Sequence, residues 1–126
     1  MSELKFYKCK KCDNLFVKLV EGPCTPVCCG EPCEELVAGS TDAATEKHVP
    51  KVWREDGKVI AKVGEVEHPM LDAHFIQFIA LVGEDRLEVK KLQPGVAPVA
   101  SFTVAPDEAV TIYEYCNLHG LWKAEA

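Results

Sequence analysis

The chain has 126 residues and a formal net charge of −6. Its acidic residues are scattered, which argues against nucleic-acid binding, because that function needs a basic face. No apolar run reaches 18 residues, so the sequence predicts no membrane span. The first residues carry no apolar signal segment, so we expect a cytoplasmic protein. Thiols stay reduced there, and clustered cysteines are more typical of metal sites than of disulfides.

Six of the seven cysteines lie within residues 1–36. Cys9 and Cys12 form a CxxC turn, in which backbone N–H groups can face the sulfurs. Four thiolates make a tetrahedral site for iron or zinc. The second pair must come from Cys24, Cys28, Cys29 and Cys33, and spacing alone leaves several pairings open. A segment with so few large apolar residues needs a metal or another staple to fold. Short strands are predicted at residues 6–9 and 15–20.

After about residue 45, short apolar segments alternate with turn signals such as Asp56-Gly57 and Pro94-Gly95. No segment has a helical period. The predicted strands are residues 51–54, 58–63, 74–82, 86–92, 99–105, 110–116 and 121–123. Seven such strands predict an antiparallel β-sandwich. Residues 74–82 are nearly all apolar, as in a strand covered on both faces.

All four histidines lie in this second part, together with the remaining cysteine: His48, His68, His74, His119 and Cys116. Imidazole and thiolate ligands with an open position suit a redox iron better than a closed structural zinc. Fe(II) with these ligands carries a charge of about +1, and Lys47 adds another positive charge nearby, which favours a small anionic substrate. A four-thiolate Fe(III) site carries a charge of about −1, so we expect it to have the lower potential and to pass electrons to the histidine site.

Several motifs in order resemble those of desulfoferrodoxin, the two-iron form of superoxide reductase. They are Tyr7-Lys8-Cys9-x-x-Cys12, Val27-Cys28-Cys29-Gly30-Glu31-Pro32, Glu46-Lys47-His48-Val49-Pro50, His68-Pro69-Met70, His74 and Cys116-Asn117-Leu118-His119-Gly120-x-Trp122-Lys123. The resemblance implies an all-β protein. A desulforedoxin-like four-thiolate module spans residues 1–36, and an immunoglobulin-like sandwich spans residues 37–126.

The resemblance also implies the ligands of two irons. The first centre takes Cys9, Cys12, Cys28 and Cys29, with zinc as an alternative metal. The second takes His48, His68, His74 and His119 as equatorial ligands and Cys116 as the axial thiolate.

The implied reaction is one-electron reduction of superoxide to hydrogen peroxide without O₂ production. Lys47 is expected to attract superoxide and orient a proton-donating water, and Glu46 to ligate the ferric resting iron. A rubredoxin-like protein is the expected donor, and a homodimer the expected assembly. The alternative function is an iron-binding electron-transfer protein without superoxide chemistry.

Cys24 and Cys33 match no motif of the family. We expect them to be free thiols that pack as small apolar groups. They could instead compete as ligands or oxidise to a disulfide.

Overall fold

The computed structural model describes residues 3–40, 45–64 and 68–126, with only the backbone of residues 45 and 46. The chain forms two compact units, one of Leu4–Val37 and one of Ala38–Ala126 that also includes Glu3. Their regular structure is β apart from one helical turn, so the predicted all-β class is confirmed. No described helix is long and apolar enough to cross a membrane.

The smaller unit contains five short strands. They are β1 (Phe6–Lys8), β2 (Leu15–Val17), β3 (Val27–Cys28), β4 (Glu31–Pro32) and β5 (Glu34–Leu36). β1 pairs antiparallel with β2 and β5, and β3 pairs with β4 as a hairpin. β1 and β2 are the two predicted strands, in shorter form. β3 to β5 were not predicted, because strands of two or three mostly exposed residues carry no apolar period.

The larger unit contains one helical turn and seven strands. They are α1 (Thr45–His48), β6 (Pro50–Glu55), β7 (Lys58–Val63), β8 (Ile76–Val82), β9 (Leu87–Lys91), β10 (Val99–Thr103), β11 (Thr111–Cys116) and β12 (Gly120–Glu125). All seven predicted strands are confirmed, with ends displaced by no more than two residues. α1 was not predicted, because four residues are too few to show a helical period.

Two antiparallel sheets form a sandwich, with strand orders β10-β7-β6 and β12-β11-β8-β9. Val59 and Phe102 of the first sheet share one buried cluster with Ile79, Leu81 and Ile112 of the second. The immunoglobulin-like sandwich follows from this shared core. Central strands are buried on both faces: the last four residues of β8 are all buried, as predicted, and so is the whole of β11.

An irregularity in the second sheet lies beside the cysteine that ends β11. β11 and β8 pair in regular register as far as Tyr115↔Phe78, but Cys116 then pairs with Ile76, which leaves Gln77 unpaired in this ladder. Bulges of this kind bend a strand and redirect the residues beyond it. The loop that carries His74 immediately precedes β8 and therefore lies beside the end of β11.

Candidate metal centres

The smaller unit brings four thiols together. The sulfur atoms of Cys9, Cys12, Cys28 and Cys29 all lie within 4.8 Å of one another. Cys9 and Cys12 occupy the turn between β1 and β2. That turn is closed by hydrogen bonds from the Cys9 N–H to the Asn14 carbonyl (2.9 Å) and from the Asp13 N–H to the Cys9 carbonyl (3.0 Å). Four convergent thiols are a donor set that fits iron or zinc.

Two adjacent cysteines reach this cluster because of the turn between β3 and β4. Cys28 ends β3, and the turn residues Cys29 and Gly30 have φ values of 54° and 75°. Two consecutive left-handed residues are typical of a type I′ hairpin. This turn directs both thiols to one side, so the structure selects Cys28 and Cys29 from the pairings that spacing left open.

The electrostatics of the metal-free cluster oppose the full ionisation of its thiols. Backbone N–H groups of Cys12 and Lys11 lower the pKa of Cys9 to about 7. Hydrogen bonds with the Cys12 and Cys9 sulfurs raise the pKa of Cys29 to about 12. The metal-free cluster therefore resists the ionisation of all four thiols. A metal ion reverses this preference, because its charge stabilises the thiolates.

Cys24 and Cys33 are both free and lie outside the four-thiol group. Cys33 is buried and packs with Tyr7 and Cys9, as expected for a small apolar side chain. Cys24 is exposed, so the expectation that it packs as an apolar group is wrong. The preceding residues of this loop, Gly22 and Pro23, are exposed as well.

The larger unit arranges its four histidines in a ring. Each imidazole meets the next edge to face, in the order His48, His68, His74, His119 and back to His48. The ring centroids of these neighbours lie 4.6 to 5.0 Å apart. The His48 Nε2 atom lies 3.0 Å from the His68 Nε2 atom and 3.1 Å from the His119 Nδ1 atom. Nitrogens that share a metal at right angles, each ~2.0 Å from it, lie about 2.9 Å apart, so this spacing fits a metal.

Cys116 adds one thiol to the imidazole ring. The ligand atoms of all five residues lie within 4.8 Å of one another, and the Cys116 sulfur is 3.9 Å from the His119 Nδ1 atom. Cys116 is fully buried in the sandwich core, whereas His74 and His119 are only partly buried. Burial raises the pKa of Cys116, and N–H groups of Leu118 and His119 oppose this effect. These N–H groups would stabilise a thiolate in the core.

The imidazoles of His68 and His74 are prepared to act as neutral ligands. The Nδ1 atom of His68 lies 2.7 Å from the Pro69 carbonyl oxygen, a contact that holds the proton there and turns Nε2 toward the ring of histidines. Burial lowers the pKa of His68 to about 4, so its imidazole is neutral at pH 7. The His74 Nε2 atom is buried without a hydrogen-bond partner, an arrangement that a metal at this point would resolve.

The two predicted charged residues precede His48. Lys47 lies in α1. Burial, the neighbouring His119 and, as the smallest of the three causes, the charge of Lys47 lower the pKa of His74. The electrostatic field of Lys47 therefore reaches the site. The side chain of Glu46 lies outside the described part of the structure.

Sequence reasoning gave no role to three residues around this centre. The Trp122 indole stacks on His48 with ring centroids 5.1 Å apart and donates a hydrogen bond of 3.0 Å to the His119 carbonyl. The Asn117 side chain forms hydrogen bonds with the backbone on either side of His74. Glu114 is fully buried on β11. Trp122 and Asn117 lie in the last sequence motif, but contacts with other ligands cannot be derived from that motif alone.

The fold and the two sites define a class: a β-sandwich metalloprotein with a histidine-and-thiolate centre, whose chain also forms a small four-cysteine module. The family model for desulfoferrodoxin matches residues 40–125. The desulfoferrodoxin of Clostridium acetobutylicum is 45% identical over 125 residues, which cover 98% of each chain. This chain therefore belongs to the desulfoferrodoxin family, and the resemblance seen in the sequence is confirmed.

Two solved structures extend the comparison. The superoxide reductase from Treponema pallidum is 31% identical, with a TM-score of 0.78 and coverage of 98% of each chain. The superoxide reductase of Giardia intestinalis, described as 1Fe-SOR, is 32% identical, with a TM-score of 0.57. That alignment covers 97% of the Giardia chain but only 64% of this one.

Proposed function

We propose that this protein is a superoxide reductase whose active metal is an iron held by the larger unit. The ligands are His48, His68, His74, His119 and Cys116. The observation that carries the proposal is the closed ring of four imidazoles with one buried thiol beside it. The reaction is O₂⁻ + e⁻ + 2H⁺ → H₂O₂. The electron comes from the reduced iron, the protons come from solvent, and no O₂ is released.

When bound, the iron supplies the transferred electron and a coordination position for superoxide. The imidazoles supply nitrogen donors, and burial keeps that of His68 unprotonated at pH 7. Cys116 supplies one negative charge from inside the core, where the N–H groups of Leu118 and His119 stabilise it. The site with Fe(II) then carries about one net positive charge, which attracts a small anion.

Lys47 and Glu46 act at the entrance to the site in this proposal. The Lys47 ammonium draws superoxide toward the histidine ring, and it orients the water that delivers a proton. Support comes from the effect of the Lys47 charge on the pKa of His74. Glu46 would provide a further ligand to the oxidised iron. Its position in α1, two residues before His48, supports this role.

The four-cysteine group takes a second iron in this proposal, with zinc as the alternative. Rubredoxin or a similar donor supplies electrons, and the role of this second iron is to pass them toward the histidine site. The functional domains are residues 1–36 and 37–126. A homodimer, which rests on the family resemblance alone, and a cytoplasmic location complete the proposal.

Metal analysis with visible spectroscopy tests the proposal first. Two irons per chain with separate charge-transfer bands are expected, and reduced protein should consume superoxide without releasing O₂. A single iron, bound at the histidine site, would still support the reductase assignment. The four-cysteine module would then have a structural role. Iron that cycles between its oxidation states without consuming superoxide would favour an electron-transfer protein. Reconstituted protein with no iron at the histidine site would overturn the enzyme assignment.

A further inference from the structure

Asn117 lies between two proposed ligands, yet its side chain contacts the loop of a third. Its Oδ1 atom accepts a hydrogen bond of 2.9 Å from the Phe75 N–H. Its Nδ2 atom donates one of 3.0 Å to the Ala73 carbonyl. Ala73 and Phe75 are the residues on either side of His74. One amide side chain therefore holds the backbone on both sides of this histidine.

The backbone of Asn117 contributes a third bond between the same two segments. Its N–H donates to the Phe75 carbonyl at 3.3 Å. This contact lies just beyond the irregular pairing of Cys116 with Ile76, where the regular ladder of the sheet ends. Asn117 thus continues the connection between the Cys116 segment and the His74 loop after the ladder stops.

The tip of the His74 loop needs such an anchor because packing does not hold residues 71–73. Leu71, Asp72 and Ala73 are exposed, and His74 is only partly buried. The loop closes on itself through two hydrogen bonds between Leu71 and His74, of 2.9 and 3.0 Å. Those bonds fix the shape of the loop but not its position against the strand that ends in Cys116.

We propose that Asn117 is a positioning residue that holds His74 at the fourth corner of the imidazole ring. An asparagine suits this task, because one side chain must both accept from an N–H and donate to a carbonyl. The inference rests on the proposed metal centre. It adds that the segment between Cys116 and His119 sets the place of His74 as well as supplying two ligands itself.

Replacing Asn117 with leucine tests this inference, since leucine has a similar size and makes neither hydrogen bond. Substitution of a residue that hydrogen-bonds a metal ligand typically lowers metal affinity by about 10- to 100-fold. We expect Asn117→Leu to weaken iron binding at the histidine site by that factor, measured by competition with a chelator. At saturating iron the ferric charge-transfer band should shift in the same direction as in His74→Ala, by a smaller amount.

Two controls separate positioning from general damage. The four-cysteine centre of the same molecule is the internal reference, and its metal affinity should not change in Asn117→Leu. Gln93→Leu makes the same kind of amide-to-alkyl change at an exposed loop position and should leave both centres unchanged. Lower stability of the metal-free protein in urea, with an unshifted charge-transfer band at saturating iron, would mean that Asn117 stabilises the fold of the larger unit rather than positioning His74.

The outcome also distinguishes this inference from the proposed function. If Asn117→Leu has the iron affinity and the spectrum of the wild type, the positioning role is overturned and the reductase assignment stands. Wild-type protein that binds no iron at the histidine site would overturn both.

Discussion

Lys47 provides a positive charge beside a site that we propose binds an anion, in a protein whose net charge is −6. The chain as a whole repels superoxide, so local potential must direct the substrate to the iron. Salt screens such attraction over about 8–10 Å. The role of Lys47 is therefore testable through both rate and ionic strength.

Lys47→Ala is expected to slow the reaction with superoxide by about 10-fold or more, the lower range of electrostatic steering effects. Stopped-flow measurements at several salt concentrations check this, and the variant should depend less on salt. Lys58→Ala removes an equal charge from an exposed position at the start of β7 and is the matched control. Equal rates for Lys47→Ala and the wild type would remove Lys47 from the mechanism.

Glu114 is an unusual residue in the sandwich core. Both carboxyl oxygens are buried without a hydrogen-bond partner, and burial raises its pKa well above the ordinary 4.5. The folded protein therefore keeps a proton that the unfolded chain releases above pH 4.5. The stability that corresponds to this proton is fully present below pH 4.5 and is lost as the pH rises toward the folded-state pKa.

Glu114→Gln keeps the shape of the side chain and removes its ionisation. We expect the wild type to lose stability relative to this variant as pH rises from 5 to 8, by up to about 1.4 kcal/mol per pH unit. Urea denaturation of both proteins at equal metal loading gives the difference between their free energies of unfolding at each pH. The contributions of the other titrating groups cancel in this difference. Parallel stability profiles would show that Glu114 does not titrate in this way.

At the scale of elements, two hairpins contribute differently to the metal centres. The β11–β12 hairpin carries Cys116 and His119, and it also carries Asn117 and Trp122, which contact His74 and His48. The β3–β4 hairpin carries Cys28 and Cys29, and its turn geometry brings both thiols to one point. The first hairpin acts through side-chain contacts, and the second acts through backbone conformation.

The turn of the β3–β4 hairpin can be tested at Gly30. A Cβ atom at this position meets nothing within 4 Å, but the residue has a φ of 75°. Gly30→Ala should therefore cost about 1 kcal/mol from backbone strain alone and weaken metal binding at the four-cysteine centre. Gly22→Ala is the matched control, because its Cβ also meets open space and no left-handed φ is required there. Equal metal affinity in both variants would contradict the role of the turn.

At the scale of the whole molecule, the two proposed centres belong to different compact units. The five ligands of the histidine site all lie within Ala38–Ala126, and the four cysteines all lie within Leu4–Val37. Each centre therefore has a complete ligand set in its own unit. Loss of one centre should leave the ligands of the other in place.

Cys12→Ser tests this independence in the full-length chain. Cys12 is exposed, so the change removes a ligand with little loss of packing. We expect loss of the four-cysteine charge-transfer band and an unchanged rate of superoxide reduction by the prereduced protein. A matching loss of iron at the histidine site would show that the two centres depend on each other.

Much of the fold and of the candidate sites could be predicted from the sequence. The seven sandwich strands were found because short apolar segments and the turn signals between them are local features. β3, β4 and β5 were missed because they are too short to show a pattern. The environment of Cys24 was misjudged, since the apolar character of a cysteine does not determine whether a neighbouring surface exists to bury it.

The sequence alone indicates which residues can ligate metals, how they are grouped along the chain, and which family their motifs resemble. The tertiary structure shows how adjacent Cys28 and Cys29 both reach the cluster, because the left-handed turn at Cys29-Gly30 is a backbone feature that spacing does not reveal. Only it showed the four imidazoles as a closed ring and Asn117 beside His74. These contacts join residues up to 71 positions apart, and the packing of two sheets brings them together.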